Sequence, residues 1–231
     1  MRVLKNAKYV CVLVIALAFL LSPAVSFSEP IKIGAMFISS GKMGGYGTHG
    51  RQAIELAIEQ INMDGGVLGR NLEAIVEDTK LKTDVAMALA ERFVNQDKVD
   101  FLMGPTSSGI AMGLTEFARQ NKKILVLTQA ATDALTGAKF HPYVFSTLSN
   151  AMMHSRSGAY LMAAKPYKTY MCVGPDYSYG HSSWKMFKSK LQELRPDVEF
   201  VGELFPKFLA KDYSEEIKKV REKKSAERMK N

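Results

Sequence analysis

Cysteine is nearly absent: the 231 residues hold two, Cys11 and Cys172. Cys11 falls inside an N-terminal apolar run, so a chain processed there keeps one thiol and forms no internal disulfide. Cys172 sits in the apolar stretch TYMCVG and is expected to be a buried, unreactive thiol. Histidine is almost as sparse, with His49, His141, His154 and His181 alone. No H-E-x-x-H pattern and no partner cysteines accompany them, so no metal site is expected. No G-x-S-x-G is present, and Ser107 and Ser108 have no His or Asp partner at a recognisable spacing. Internal repeats and low-complexity segments are missing as well.

What is present begins with an export signal. Arg2, Lys5 and Lys8 precede the apolar run VCVLVIALAFLL, and SPAVSFSEP follows with small residues at cleavage spacing (Ala24 and Ser26, or Ser26 and Ser28). This pattern predicts a cleavable signal peptide over residues 1–28. The apolar run is short for a spanning helix, and Cys11 stands at its start rather than after it, which argues against lipid attachment. A soluble exported protein follows, periplasmic in a bacterium. Removing 1–28 removes three cations and no acid, so the formal charge of +8 falls to about +5. From residue 211 onward eight Lys/Arg meet five Asp/Glu, with Tyr213 the one aromatic among them. That composition reads as a solvated helix face, and no nucleic-acid partner is expected.

The rest alternates strands and helices. IKIGAMF (31–37), LEAIVED (72–78), DFLMG (100–104) and KILVLT (123–128) read as strands. Between them, helices are predicted from about Gly50 to Met63, from Thr83 to Asn95 and from about Gly109 to Gln120. The first places Ile54, Leu56, Ala57 and Ile61 on or near one face, and Thr83-Asp84 is expected to cap the second. HPYVFSTLSN (141–150) reads as the crossing to a second unit, where the pattern restarts with a helix over 151–164. Strand KTYMCVG, helix YGHSSWKMFKSKLQEL, strand VEFVGELF and a helix from about Tyr213 follow. Such alternation predicts crossover units and a mainly parallel sheet.

One motif points elsewhere. Gly45, Gly47 and Gly50 spell G-x-G-x-x-G in GGYGTHG, the fingerprint of a dinucleotide cradle. In such a cradle the first glycine comes directly off the strand. Here residues 38–44 intervene, and an exported chain meets no ready pool of NAD. Glu77 and Asp78 at the end of the second strand do leave an acidic partner in place for that alternative, an exported oxidoreductase. The glycines otherwise suit a mobile loop at the carboxyl end of a strand, the edge where open α/β sheets bind ligands. MGPTSSG (103–109) and QAATDALTG (129–137) lie at that same edge. The first opens a helix, whose N-terminal amides suit a carboxylate; ordinary N-capping explains one of its serines. Together the three loops favour a small polar ligand and no cofactor.

The order PIKIGAMF, GGYG, AIEQINMDGGVLGRNLE, MGPTSSG, LTQAATDALTG, PYVFST and GPDYSYGHSSW resembles the periplasmic branched-chain amino-acid binding proteins, the type I solute-binding components of ABC importers. The resemblance runs from about residue 29 to 220. It implies an α/β fold of two Rossmann-like lobes, 29–146 and 147–231, with a solute held between them and no catalysis. By the same resemblance, Ser107 or Ser108 holds the α-carboxylate and ammonium, Ala130 and Thr132 contribute backbone and hydroxyl, and Tyr46 lines the first loop. Tyr179 then closes over the ligand from the second lobe. The implied partners are an amino acid or related solute and the membrane permease subunits of the importer. Alternatives are a sensory or non-transporting binding protein, or a non-functional remnant.

Two features depart from the family pattern. Ser146, where members often carry arginine, follows Phe145. Members are also half as long again or more, so the resemblance implies that the second lobe and the hinge are incomplete here. With half the cleft missing, the 231-residue chain is expected to bind its solute weakly or not at all. Calorimetric titration checks this, and micromolar or tighter binding of a branched-chain amino acid would contradict it.

Overall fold

The computed structural model describes residues 29–228, so the expected signal peptide and Cys11 lie outside the described residues. The chain runs β1 (Ile31–Phe37), α1 (Gly44–Met63), β2 (Leu72–Asp78), α2 (Thr83–Asn95), β3 (Phe101–Met103), α3 (Ser108–Gln120), β4 (Ile124–Leu127) and β5 (Val144–Ser146). It continues with α4 (Ala151–Ala163), β6 (Thr169–Val173), α5 (Ser178–Leu194), β7 (Glu199–Leu204) and α6 (Ser214–Arg228). The first five strands form one sheet in the order β2-β1-β3-β4-β5, every pair parallel. β6 and β7 form a second parallel sheet, with an irregular register at Tyr170/Met171.

Apolar residues in these strands carry no strict alternation because the first sheet buries both faces near its centre. Leu102, Leu125, Leu127 and Val144 point to one side and meet Ala90 and Phe93 of α2 and Ile110, Leu114 and Ala118 of α3. This is the principal core, and most of its members are fully buried. Gly34 belongs to its design, since a Cβ there would lie 2.4 Å from the Phe93 ring. On the other side a smaller cluster, Ala35, Phe37 and Val76, packs with Ile54 under α1. That cover stops short of β5, where Phe145 stays 53% exposed.

Several boundaries differ from the sequence reading for local reasons. Helix α1 starts at Gly44, six residues before the expected Gly50, so the glycine motif is helical rather than a mobile loop. Along α1 Ile54, Ile58 and Ile61 are half-buried while Leu56 and Ala57 are exposed, which rotates the inner stripe away from the predicted one. The N-cap of α2 is Lys82, and no side chain caps it, so Thr83-Asp84 does not play the expected capping part. HPYVFSTLSN is more than a crossing: its Val144–Ser146 adds a fifth strand to the first sheet. His141 anchors that strand's entry, with Nδ1 accepting from the Tyr143 N–H and Nε2 lying 2.8 Å from the Thr115 carbonyl of α3.

The second unit is built around Ala159, Leu191 and Val198, with Tyr170, Phe187 and Phe200 against them. Trp184 stacks on Phe187 at 5.7 Å and meets Phe200 edge-on at 5.5 Å, geometries that aromatic pairs prefer. Cys172 is half-buried rather than fully buried, and its thiol pKa is raised, first by burial and then by Glu203, which keeps it protonated and unreactive. Arg195 ties the unit together: it donates to both Asp197 oxygens at 2.7 and 2.8 Å and to the carbonyls of Ala163 and Lys165 at the end of α4. Helix α6 opens with Glu215 and Glu216 and is charged on most sides, as the composition of the tail implied.

Two outcomes are expected. Leu114→Ala should lower the unfolding free energy by about 2–5 kcal/mol in chemical denaturation, because it empties part of a dense core. The second concerns pH. The Arg195 guanidinium holds the Asp197 carboxyl down at about 2, below its ordinary 3.8. A depressed folded-state pKa stabilises above the unfolded value, and the contribution fades as pH falls through the folded one. The stability difference between wild type and Asp197→Asn, followed by urea unfolding, should therefore be steady above about pH 5 and shrink toward pH 2.

Candidate functional site

All five strands of the first sheet end at one edge, and the residues named from the sequence cluster on the segments that leave it. After β3 the chain turns at Gly104, whose φ of 102° is left-handed and whose Cβ would lie 2.2 Å from the Met36 carbonyl. Only glycine fits so close to the neighbouring strand. Ser107 then occupies the N-cap of α3 in extended conformation, and its Oγ accepts from the Ile110 N–H at 3.4 Å. Ser108 stands in the first turn and is buried. The structure thus separates two serines that the sequence could not: Ser107 holds a long, weak cap at a half-exposed position, and Ser108 faces inward. The remaining first-turn amides of α3 carry the positive end of the helix dipole.

Tyr46 lies in the first turn of α1 and is 54% exposed. That turn rests on the exit of β1. The Gly47 N–H donates to the Ile38 carbonyl at 2.8 Å, and a Cβ at Gly47 would come within 2.3 Å of the same oxygen. Of the glycines that mimic a phosphate cradle, Gly47 is therefore a packing requirement, whereas a Cβ at Gly45 would meet nothing within 4 Å. The acids that could have completed a nucleotide site are engaged as well. Glu77 pairs with Arg92 at 2.7 Å. Burial would raise the Asp78 pKa, but the amides of Ser39 and Lys80, each 2.8 Å from Oδ1, hold it below the usual range.

After β4, Ala130 and Thr132 are both buried, so they form the floor of the edge rather than its rim. This loop is bound to the start of α4. The Ala151 N–H donates to the Ala131 carbonyl at 2.7 Å, and the Met152 N–H donates to Asp133 Oδ1 at 2.7 Å. The other Asp133 oxygen is buried and unpaired among the described residues.

From the second unit, Tyr179 stands near the start of α5, half-buried, 6.1 Å from the Tyr177 ring, and Tyr177 packs on Phe208 at 4.5 Å. The Tyr177 phenol pKa is raised first by burial, then by the phenols of Tyr179 and Tyr46. Tyr179 also lines a cavity of about 420 Å³ beside β6, with Tyr170, Ser183 and Trp184. Among the described residues no hydrogen bond joins Ser107 or Ser108 to Thr132 or Tyr179, although α3, which Ser108 opens, approaches α5 of the second unit. The sequence reading missed Tyr177, Phe208, Asp133, Thr106 and Gln129. Tyr177 was the one within reach, two positions from Tyr179; the others matter only through neighbours distant in sequence. The collected groups are hydroxyls, helix-end amides and phenols. They can hold a small anion by hydrogen bonds and contain no paired nucleophile and base.

Comparison with known proteins bears on the fold and the family. A Leu/Ile/Val/Thr/Ala-binding protein of Pseudomonas aeruginosa is 28% identical over 154 residues, which cover 66% of this chain and 41% of that protein. A periplasmic binding protein from Burkholderia mallei superposes with a TM-score of 0.78 at 24% identity, over 84% of this chain and 51% of the other. A solute-binding protein of an ABC transporter from Rhodopseudomonas palustris, solved with 3,4-dihydroxybenzoic acid, gives 0.76 at 23% identity, over 85% and 52%. The chain thus spans about half the length of these relatives. The family model described as periplasmic binding protein matches residues 30–226. With its parallel five-stranded sheet, its second α/β unit and a site of donors without catalytic partners, the chain belongs to the periplasmic binding proteins, a family that binds solutes and does not catalyse.

Proposed function

We propose that this protein captures a small carboxylate-bearing solute, a branched-chain or similar amino acid, in the periplasm and delivers it to the permease subunits of an ABC importer. The observation that carries this reading is the meeting of three segments at one sheet edge: the Ser107 cap at the positive end of α3, the Ala130–Thr132 floor, and Tyr46 on the first turn of α1. A carboxylate seated on the α3 end would gain charge-assisted hydrogen bonds from amides and hydroxyl, typically stronger than neutral ones. The second lobe, taken to begin at Thr147, would contribute the neighbouring Tyr179 and Tyr177, so that closure would cover the solute with phenol rings. The amino-acid binding named for the Pseudomonas relative supports the amino-acid choice.

A second reading has its own support. Tyr46, Tyr177, Tyr179 and Phe208 offer flat, apolar surfaces to an aromatic ring, and the Rhodopseudomonas relative was solved with an aromatic acid. Both readings place a carboxylate on the same first-lobe groups and differ in what the second lobe covers.

Two-dimensional NMR of the chain, titrated with leucine, isoleucine, valine and 4-hydroxybenzoate into the millimolar range, tests the proposal. The amides of Ser107 to Ile110 should shift with at least one of these, and Ser107→Ala should weaken that response about ten- to a hundredfold, the scale of one hydrogen bond to a charged group. Larger shifts at Tyr177 and Tyr179 with the aromatic acid would select the second reading. Shifts elsewhere on the chain that leave the Ser107 to Ile110 amides unmoved would overturn both.

A further inference from the structure

The three segments of the site are joined by a chain of hydrogen bonds that neither the family match nor the sequence motifs single out. The Ile38 N–H, just past β1, donates to Thr106 Oγ1 at 3.2 Å. The Thr106 hydroxyl donates to Gln129 Oε1 at 2.6 Å. The Gln129 Nε2 then donates to the Tyr46 carbonyl at 3.1 Å. Every link has a fixed direction. The hydroxyl has one proton and spends it on Oε1, which sets the amide orientation and turns its NH2 toward Tyr46. Thr106 is the residue before the Ser107 cap, and Gln129 is the residue before Ala130. One side chain thus spans the loop after β4, the loop after β3 and the first turn of α1.

That turn needs such a tie. Its N-cap, Met43, makes no side-chain cap, and no acidic residue stands in the first turn to meet the helix dipole. Four of its first seven residues are glycine: Gly44, Gly45, Gly47 and Gly50. Each glycine in a helix is unfavourable by about 1 kcal/mol relative to alanine, so the turn bearing Tyr46 has little helical preference of its own. Two external contacts hold it: the Gly47 N–H on the Ile38 carbonyl and the Gln129 amide on the Tyr46 carbonyl. Gly50 leaves room for the second, since a Cβ there would meet Gln129 Nε2 at 3.3 Å.

We infer that Gln129, oriented by Thr106, is a positioning residue for solute binding: it fixes the backbone of Tyr46 relative to the Ser107 cap and the Ala130 floor without touching the solute itself. The inference rests on the proposed carboxylate site. Its structural half, the tie on α1, stands apart from solute and can be measured without one.

Four variants test it by NMR titration with the solute that moves the Ser107–Ile110 amides, together with amide hydrogen exchange in the absence of solute. Gln129→Leu and Thr106→Val should each weaken binding about five- to tenfold and speed exchange at Gly47 to Gly50, and the double variant should resemble either single one, because both break one chain. Thr106→Ser keeps the hydroxyl and should restore wild-type affinity and exchange. Wild-type affinity in Gln129→Leu, or additive losses in the double variant, would overturn the inference. If Gln129→Leu does not fold, the Val and Ser replacements at Thr106 decide the matter. If the carboxylates bind wild-type protein away from the Ser107–Ile110 amides, the solute reading fails by itself, and the exchange data still judge the tie: unchanged exchange at Gly47 to Gly50 in Thr106→Val refutes it, faster exchange sustains it.

Discussion

The parallel first sheet imposes the constraint on which the site depends. Every strand runs the same way, so every segment leaving a strand's carboxyl end emerges at one edge, beside the N-terminus of the helix that follows. Loop amides, helix-end amides and short hydroxyl side chains are concentrated there without any charged residue being spent. The same constraint crowds the edge. β1, β3 and β4 deliver their segments a strand spacing apart, and the chain passes only where side chains are missing. Gly104 beside the Met36 carbonyl and Gly47 beside the Ile38 carbonyl are the two points of closest approach. Substituting either would push a strand exit or a helix start away from its neighbours, and with it Ser107 or Tyr46.

Crowding also accounts for the central glycine of the nucleotide fingerprint without a nucleotide. A dinucleotide cradle uses glycine so that a phosphate can approach the backbone; here, at Gly47, the approaching group is the chain's own carbonyl. The physical demand, a backbone with no Cβ in the way, is the same, and so is the spelling. What separates the two cases is the partner, and partners are tertiary facts. Glu77 and Asp78 make the point from the other side, since Glu77 Oε1 is bound to Arg92 and Asp78 Oδ1 to the amides of Ser39 and Lys80.

The strands and most helices were legible because their apolar periodicity is strong and their ends carry glycine or polar residues. Ser107 could be named because N-capping chemistry is local. The start of α1 was not legible. A run of glycines predicts a loop by propensity, and it is helical because contacts from β1 and from Gln129, distant in sequence, hold it so. β5 was missed for a similar reason: three residues are too few for a pattern, and Val144–Ser146 become a strand by pairing with β4. Tyr179 was reachable through the family resemblance, whereas Thr106 and Gln129 have no local signature at all. A threonine and a glutamine in polar loops are unremarkable until the fold places them within hydrogen-bond distance.

A binding protein must hold a charged solute firmly enough to retain it and loosely enough to pass it on. Neutral donors suit this better than a buried cation would. A buried ion pair brings a large desolvation penalty and, once formed, resists separation, whereas amides and hydroxyls at a helix end return to water with modest loss. The tight elements on this chain lie behind the solute edge rather than in it. The principal core under α2 and α3 fixes the strands, the Asp133 carboxylate on the Met152 N–H fixes the passage into α4, and the Thr106–Gln129 chain fixes the turn of Tyr46. Rigidity sits one layer behind these donors, and under the proposed function the donors themselves would stay free to exchange a solute for water.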